Sequence, residues 1–327
     1  MAVTAKDVAR EAGVSQATVS YVINDNPHQR ISTETRRRVL DAVARLGYAP
    51  SAAARALRRG SSDVVLLVLP DVPLGPAVAH LIEQLTDELE PFGLSLVARR
   101  NRGEGRLSRL WRELRPIAVV GVVDLPAGAE EEMRAAGIAV VNTVMSSKRD
   151  DSTTAVPQNV VGRMQLERLA YRGHRRIGYA APDDSRVNVF YTLRLEGVRE
   201  ACLELGLDQP DVQQVHLTGE DGERVVRAWT GRDEPVTGVC AYNDETAFAV
   251  LAGARRLALR VPADLAVIGV DNIPLATLSA PPLTTVDQNV DAVAAHLARE
   301  VAHYVLGTPL PRPLQADALT LVVRESA

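Results

Sequence analysis

Residues 7–24 read Asp-Val-Ala-Arg-Glu-Ala-Gly-Val-Ser-Gln-Ala-Thr-Val-Ser-Tyr-Val-Ile-Asn. Val8, Ala9 and Ala12 recur at helical spacing, Gly13 interrupts them, and Val19, Val22 and Ile23 take the pattern up again. Two short amphipathic helices joined by a tight turn with glycine at its head form a helix-turn-helix pattern. Thr4 with Asp7 three residues on resembles a capping box, with Asp replacing the usual Glu, and Ser15 is placed to N-cap the second helix. A generic helical hairpin inside a larger core would share this spacing. The second helix, however, carries Gln16, Ala17, Thr18, Ser20 and Tyr21 on its other face. Small and hydrogen-bonding groups of this kind read base edges and phosphates in a major groove. The stretch is expected to be a DNA-binding head.

The charge distribution agrees. The 327-residue chain has a net charge of -4, which taken alone disfavours nucleic acid. Residues 1–60, however, hold ten Lys/Arg against five Asp/Glu, and the remainder 27 against 36. A basic head on an acidic body is the asymmetry expected when one module neutralises phosphates and the other does not. The length suffices for two or three domains with cores of their own. Cys202 and Cys240 make neither a disulfide framework nor a metal cluster and suit a reducing cytosol. The N-terminus lacks the apolar core of a signal peptide, and no apolar run reaches 18 residues, so a cytoplasmic protein without membrane contact is expected.

Beyond Asn24 a polar loop runs to Arg30, and Ser32 is the expected N-cap of a third helix with Glu34 in its first turn. Val39, Leu40, Val43 and Leu46 form its apolar stripe, and Gly47 suits a left-handed C-cap. Arg36, Arg37, Arg38 and Arg45 crowd the other positions, as a solvated face or as phosphate contacts. Pro50 then precedes the alanine-rich run Ala52–Leu57, which has high helix propensity but is too short to be stable alone. It is either an ordinary linker or a hinge helix that enters a minor groove with Leu57 wedged between base steps.

From Asp63 onward apolar runs alternate with helical patterns. Val64–Leu69, Leu94–Ala98, Ile117–Val123 and Ile138–Val141 read as strands between helices near Pro76–Glu90, Leu107–Leu114 and Ala129–Ala136. After residue 157 the pattern repeats, with helices Val160–Tyr171, Val189–Leu205, one ending near Trp229, and Glu245–Leu257. Strands Ile177–Ala180, Val212–Leu217, Val236–Tyr242 and Leu265–Val270 alternate with them. Near-continuous apolar strands alternating with helices indicate parallel sheets covered on both faces. Two such lobes facing each other leave a cleft at the strand carboxyl ends, where open α/β sheets bind ligands.

These motifs resemble the LacI/GalR family of bacterial transcription regulators. The likeness rests on Asp7-Val8-Ala9, Ala12-Gly13-Val14-Ser15, Thr18-Val19-Ser20, Thr35-Arg36 with Val39, Gly47-Tyr48 with Pro50, and the hinge ending in Leu57. It continues through Arg172-Gly173-His174-Arg175-Arg176, Asn243-Asp244-Glu245, Gly269-Val270-Asp271-Asn272, Pro281-Pro282-Leu283-Thr284-Thr285 and Val322-Val323-Arg324-Glu325-Ser326. The resemblance implies an all-α helix-turn-helix head plus an α/β body of two doubly wound parallel-sheet lobes, periplasmic-binding-protein-like (type I). The expected division is 1–50 for the head, 51–60 for the hinge, 61–157 plus about 286–315 for the N-lobe, and 158–283 plus about 316–327 for the C-lobe. Three crossings would join the lobes, near Val156, Thr284–Asp287 and Leu314–Ala318.

It also implies a repressor acting on double-stranded, pseudo-palindromic operator DNA. Gln16 and Ala17 fall at the main specificity positions, Thr18 and Ser20 face the DNA, and Leu57 kinks the operator at its centre. Thr4, Ser15, Asn24, Arg30 and Tyr48 complete the expected contacts of the head, and Ala54, Arg55 and Arg58 those of the hinge. Tyr21 stands where the family often has arginine, so a bidentate arginine–guanine contact is replaced by a hydroxyl or a thymine-methyl contact. In the cleft the candidate effector ligands are Asp71, Asn142, Arg194, Asn243, Asp271 and Gln288. Arg194 matches the arginine with which relatives grip the effector. Asn and Asp also commonly cap helices and loops. Such groups suit a small polar effector, a sugar or sugar derivative. Aromatic stackers are scarce at 4% aromatic content, with Phe190 and Tyr191 as the candidates near Arg194.

Other classes fit less well. No Walker A loop, Gly-x-Gly-x-x-Gly, Gly-x-Ser-x-Gly elbow or metal-spaced His/Cys set occurs, so neither an enzyme nor a cofactor is expected. A free-standing solute-binding protein would have no basic head. A regulator controlled by a protein corepressor or a non-sugar ligand stays open. The chain ends shortly after its last expected strand without a heptad tail, which points to a homodimer rather than a coiled-coil tetramer.

Overall fold

The computed structural model describes residues 3–23, 31–48, 62–102, 104–123, 125, 128–145, 156–312, 314 and 319–327. The chain forms two compact units, divided after Asp63.

In the first unit, helices α1 (Ala5–Ala12), α2 (Gln16–Ile23) and α3 (Thr33–Leu46) bury Val8, Ala12, Val19, Val22, Val39 and Ala42 against one another. Each helix start is satisfied by a side chain. Thr4 Oγ1 accepts from Asp7 N at 3.4 Å while Thr4 N donates to Asp7 Oδ2 at 3.0 Å, a reciprocal capping box. Ser15 Oγ accepts from Thr18 N at 3.1 Å, and Ser32 Oγ from Thr35 N at 3.2 Å. Gly13, at φ 63°, lets the chain leave α1 in the left-handed conformation that a side chain would resist. The stripe of α3 differs from expectation at one residue. Leu40 is 48% exposed, because the buried face runs through positions 39, 42, 43 and 46, and position 40 lies about 100° off it.

The second unit holds two sheets. Strands β1 (Val64–Leu69), β2 (Ser95–Arg100), β3 (Ala118–Val123) and β4 (Ala139–Met145) form a parallel sheet of order β2-β1-β3-β4. Helices α4 (Pro76–Leu89), α5 (Glu104–Leu114) and α6 (Ala129–Ala135) connect them. Alternation along β1 serves both faces. Val65, Leu67 and Leu69 pack towards α4, and Leu66 and Val68 towards Trp111 of α5 and Met133 of α6.

The C-lobe sheet is built from β5 (Ile177–Pro182), β6 (Asp211–Val215), β7 (Gly238–Ala241), β8 (Ala266–Val270), β9 (Thr284–Asp287) and β10 (Thr320–Val322), in the order β10-β9-β8-β7-β5-β6. Helices α7 (Gln158–Tyr171) and α8 (Asn188–Glu204) cover one face, and α9 (Gly219–Thr230) and α10 (Asp244–Arg256) the other. Helix α11 (Val290–Leu306) returns to the N-lobe, where Val293, Leu297 and Val301 join its core.

Two details refine the parallel-sheet reading. Strands β2 and β6 are not apolar throughout, since each has a neighbour on one side only and leaves polar residues in water. The sheet of the C-lobe is not wholly parallel. The segment read only as a crossing, Thr284–Asp287, is a strand parallel to β8, and β10 adds antiparallel to it. Cys202 and Cys240 are free and buried in one core, which pushes the Cys202 thiol up to about 11 and that of Cys240 well above its usual value. Among the described residues no helix is long and apolar enough to cross a membrane, and no His/Cys/Asp/Glu group is arranged to hold a metal.

Candidate functional site

The head offers the first surface. Gln16 and Ala17, in the first turn of α2, are exposed, and Thr18, Ser20 and Tyr21 are half-buried beside them. Thr18 Oγ1 lies 2.9 Å from Ser15 Oγ, so these two hydroxyls form one polar cluster at the helix start. Thr4 is exposed, its side chain engaged with Asp7, and Tyr48 is half-buried against the helical core. Arg10 pairs with Asp7 at 2.7 Å and Arg45 with Glu11 at 3.3 Å. Asn24, Arg30, Ala54, Arg55, Leu57 and Arg58 lie outside the described residues.

The second site is a cavity of about 790 Å³ between the lobes of the body. The β1–α4 loop, from Val72 to Pro76, forms its N-lobe side, and loops after β5, β7 and β8 the other. Arg194, 4% exposed on α8, is fixed on several sides. Its Nε donates to Gln158 Oε1 at 2.8 Å and its Nη1 to the Tyr242 carbonyl at 2.6 Å. Its Cζ stands 4.9 Å from the Tyr242 ring centroid, and its Nη2 3.8 Å from Asp271 Oδ1. Gln158 Nε2 donates to Gln288 Oε1 at 2.8 Å, and Gln288 Nε2 to Asp271 Oδ1 at 2.6 Å. Asp271, Gln288, Gln158 and Arg194 thus form a closed polar ring on the cavity floor.

The backbone builds that ring. Helices α7 and α8 cross at Gly162 and Gly197, where an added Cβ would overlap the Arg194 and Asn159 carbonyls. Only glycine allows the approach that sets Gln158 against Arg194. Asp271 leaves β8 at φ 103°, a conformation costing about 1–3 kcal/mol. The next residue, Asn272, is clamped by hydrogen bonds to Asp287 at 2.8 Å and from Arg324 at 2.6 Å. Burial pushes the Asp271 carboxyl up to about 6 against the pull of Arg194 and the Gln288 hydrogen bond, with Glu245 and Asp287 also pushing upward. Asp244 is buried below the cleft, accepting from Thr285 Oγ1 at 2.6 Å and Ile273 N at 2.9 Å, and burial pushes it up to about 7.

The candidate ligands are distributed unevenly. Arg194, Asn243, Asp271 and Gln288 line the cavity. Asn243 also caps α10, its Oδ1 accepting from Thr246 N at 2.9 Å. Asp71 is not among the lining residues. The chain leaves β1 beside the arginine-rich end of β2, and Asp71 pairs there with Arg102 at 3.1 Å and Arg100 at 3.7 Å. Tyr191 turns into the C-lobe core, 6.0 Å from the Tyr179 ring. Phe190, one helical turn before Arg194, lines the cavity, as does Tyr242. Asn142 sits in β4 opposite Gly121, and its side chain is outside those described. Sequence reasoning missed Gln158 and Glu245, both polar residues in the first turn of a helix beside the cleft. Position after a crossing or after a strand end was the signal.

Residues 4–51 match the model for bacterial regulatory proteins, lacI family, and residues 166–327 that for a periplasmic binding protein-like domain. The HTH-type transcriptional regulator MalR of Streptomyces coelicolor is 32% identical, covering 98% of this chain and 95% of its own. The chain belongs to the LacI family. It is a DNA-binding transcription regulator rather than an enzyme. Among solved structures, the CelR–cellobiose complex is 28% identical with a TM-score of 0.66, covering 99% of this chain and 100% of that one. The Lac repressor dimer bound to operator and the anti-inducer ONPF is 23% identical with a TM-score of 0.81, covering 100% and 99%, a likeness of fold. In this LacI-family chain the closing motif is a brace. Ser326 Oγ donates to Val267 O at 2.6 Å, and Arg324 Nη1 to Leu283 O at 2.7 Å, locking β8 to β9 beneath Asp271.

Proposed function

We propose that this LacI-family member is a cytoplasmic repressor whose affinity for a pseudo-palindromic operator is set by a small effector, a sugar or sugar derivative, bound between the lobes. The observation that carries this is the ring of Arg194, Gln158, Gln288 and Asp271, which presents donors and acceptors into a cavity built from both lobes. A ligand there touches both lobes at once, so its binding free energy differs between lobe arrangements, as population shift requires. The cellobiose bound by CelR and the operator bound by the Lac repressor dimer are in keeping with it.

On DNA, two heads of a homodimer occupy successive major grooves. Gln16 and Ala17 meet base edges, and the segment around Leu57 folds on the minor groove between them. A coupling of about 1–3 kcal/mol between cleft and operator changes affinity roughly 5–150-fold.

The test is thermal unfolding of the full chain against sugars, sugar phosphates, nucleosides and nucleobases. A ligand at about 100 times its Kd adds roughly 2.7 kcal/mol of stability. A shift that Arg194→Met abolishes assigns the effector to the cleft. Silence across the panel, with the protein folded, contradicts a small polar effector and favours a protein corepressor.

A further inference from the structure

The two walls of the cavity differ in chemistry. Among the described residues, the N-lobe side presents only apolar groups, with Leu74, Pro76, Val78, Leu81, Val122 and Val293 in the wall. Leu74 is 55% exposed there. The C-lobe side is polar and carries an excess of carboxylates. Asp184 is engaged by Arg186, and Asp183 lies 2.7 Å from His216. Asp244 is satisfied from within its own lobe. Arg194 serves Gln158, Tyr242 and Asp271.

Glu245 is left. Among the described residues its one hydrogen bond is from Asn243 Nδ2 at 3.4 Å, and no Lys, Arg or His pairs with it. It is half-buried in the first turn of α10, and its negative charge reaches Asp271. Its Oε2 also stands 3.3 Å from where a Cβ would sit on Gly75 of the N-lobe loop. The carboxylate therefore lies where the lobes meet. A half-buried carboxylate without a cationic partner among the described residues is poorly compensated.

We infer that Glu245 sets the class of effector, and that the effector is an amphipathic amine: a protonated amino group held by Glu245 on a hydroxylated body whose apolar side lies on the N-lobe wall. The inference rests on the effector-cleft reading above and narrows it. A cation supplies the missing charge, whereas a phosphate or carboxylate would meet Glu245 and Asp271 in a cavity lined, among the described residues, by one arginine. A hydrocarbon substituent would cover Leu74, Val78 and Leu81, which a plain hexose, polar around its rim, leaves poorly matched. Since Glu245 stands beside the Gly75 loop, neutralising it also relieves a charge where the lobes meet.

The experiment measures thermal shifts of the full chain with matched gluco, galacto and manno series of the free hexose, the hexosamine, the N-alkyl hexosamine and the hexose phosphate. The expected result is stabilisation by an amine, larger for its alkylated form, with Kd about 10- to 100-fold weaker in Glu245→Gln. Glu245→Lys should move the preference to the phosphate. Stabilisation by a neutral hexose equally in the wild type and Glu245→Gln overturns the assignment while leaving the cleft in place. So does a shift by the phosphate in the wild type, or silence from every amine. An amine shift that survives in Arg194→Met places the ligand outside the cleft and overturns the underlying reading itself.

Discussion

Arg194 is a cation held in a nearly dry site by an amide oxygen, a carbonyl, an aromatic face and a nearby carboxylate. Arg194→Met keeps the bulk but strands Asp271 and Gln158, so a loss of about 3–5 kcal/mol is expected in denaturant unfolding. Adding Asp271→Asn should restore part of that loss, because the stranded charge causes most of it. Asp244 makes a separate prediction. Its carboxyl sits at about 7 in the folded chain against 3.8 for the free group. Between those values the folded state holds a proton that the unfolded chain has released, so this group's contribution to stability falls as pH rises from about 4 to about 7. Comparing melting against pH for wild type and Asp244→Asn should show a flatter fall in the variant. An identical profile would mean that Asp244 is ionised in the fold. At this scale the sequence was only partly legible. Arg194, Asn243, Asp271 and Gln288 could be singled out, yet Gln158 could not, because its partners lie 36 and 130 residues away. Tyr191 and Phe190 are adjacent, and only packing on Tyr179 decides which ring enters the core.

Single helices and strands carry their own consequences. The cap of α2 is one hydroxyl, so Ser15→Ala should cost the head about 1 kcal/mol and weaken operator binding across sequences alike. Gln16→Ala, by contrast, should relax preference at one base pair by about 1–3 kcal/mol, read by binding to a randomised operator library. In the body, Gly197→Ala forces α7 and α8 apart and should cost about 1–3 kcal/mol or more, with loss of ligand-induced stabilisation because Gln158 and Arg194 separate. The three helices of the head were legible, Leu40 apart, since their determinants are local: a 3.6-residue period, three hydroxyl caps and two left-handed glycines. The central strands were legible as apolar runs. Strand β9 was not, being short and rich in threonine, with its place set by pairing to β8 on one side and β10 on the other.

For the whole molecule we propose linkage: one chain reads DNA with its first unit and a small molecule with its second, and the two occupancies alter each other's affinity. The family assignment makes the first half plain, and the ring of Arg194, Gln158, Gln288 and Asp271 in a two-lobed cavity supports the second. The most direct measurement is titration of the full chain onto its operator by fluorescence anisotropy, with and without the ligand that stabilises it thermally. Operator Kd is expected to change roughly 5–150-fold with ligand in the wild type and to be unresponsive in Arg194→Met. An operator affinity that stays constant while the ligand saturates the cleft would contradict this linkage.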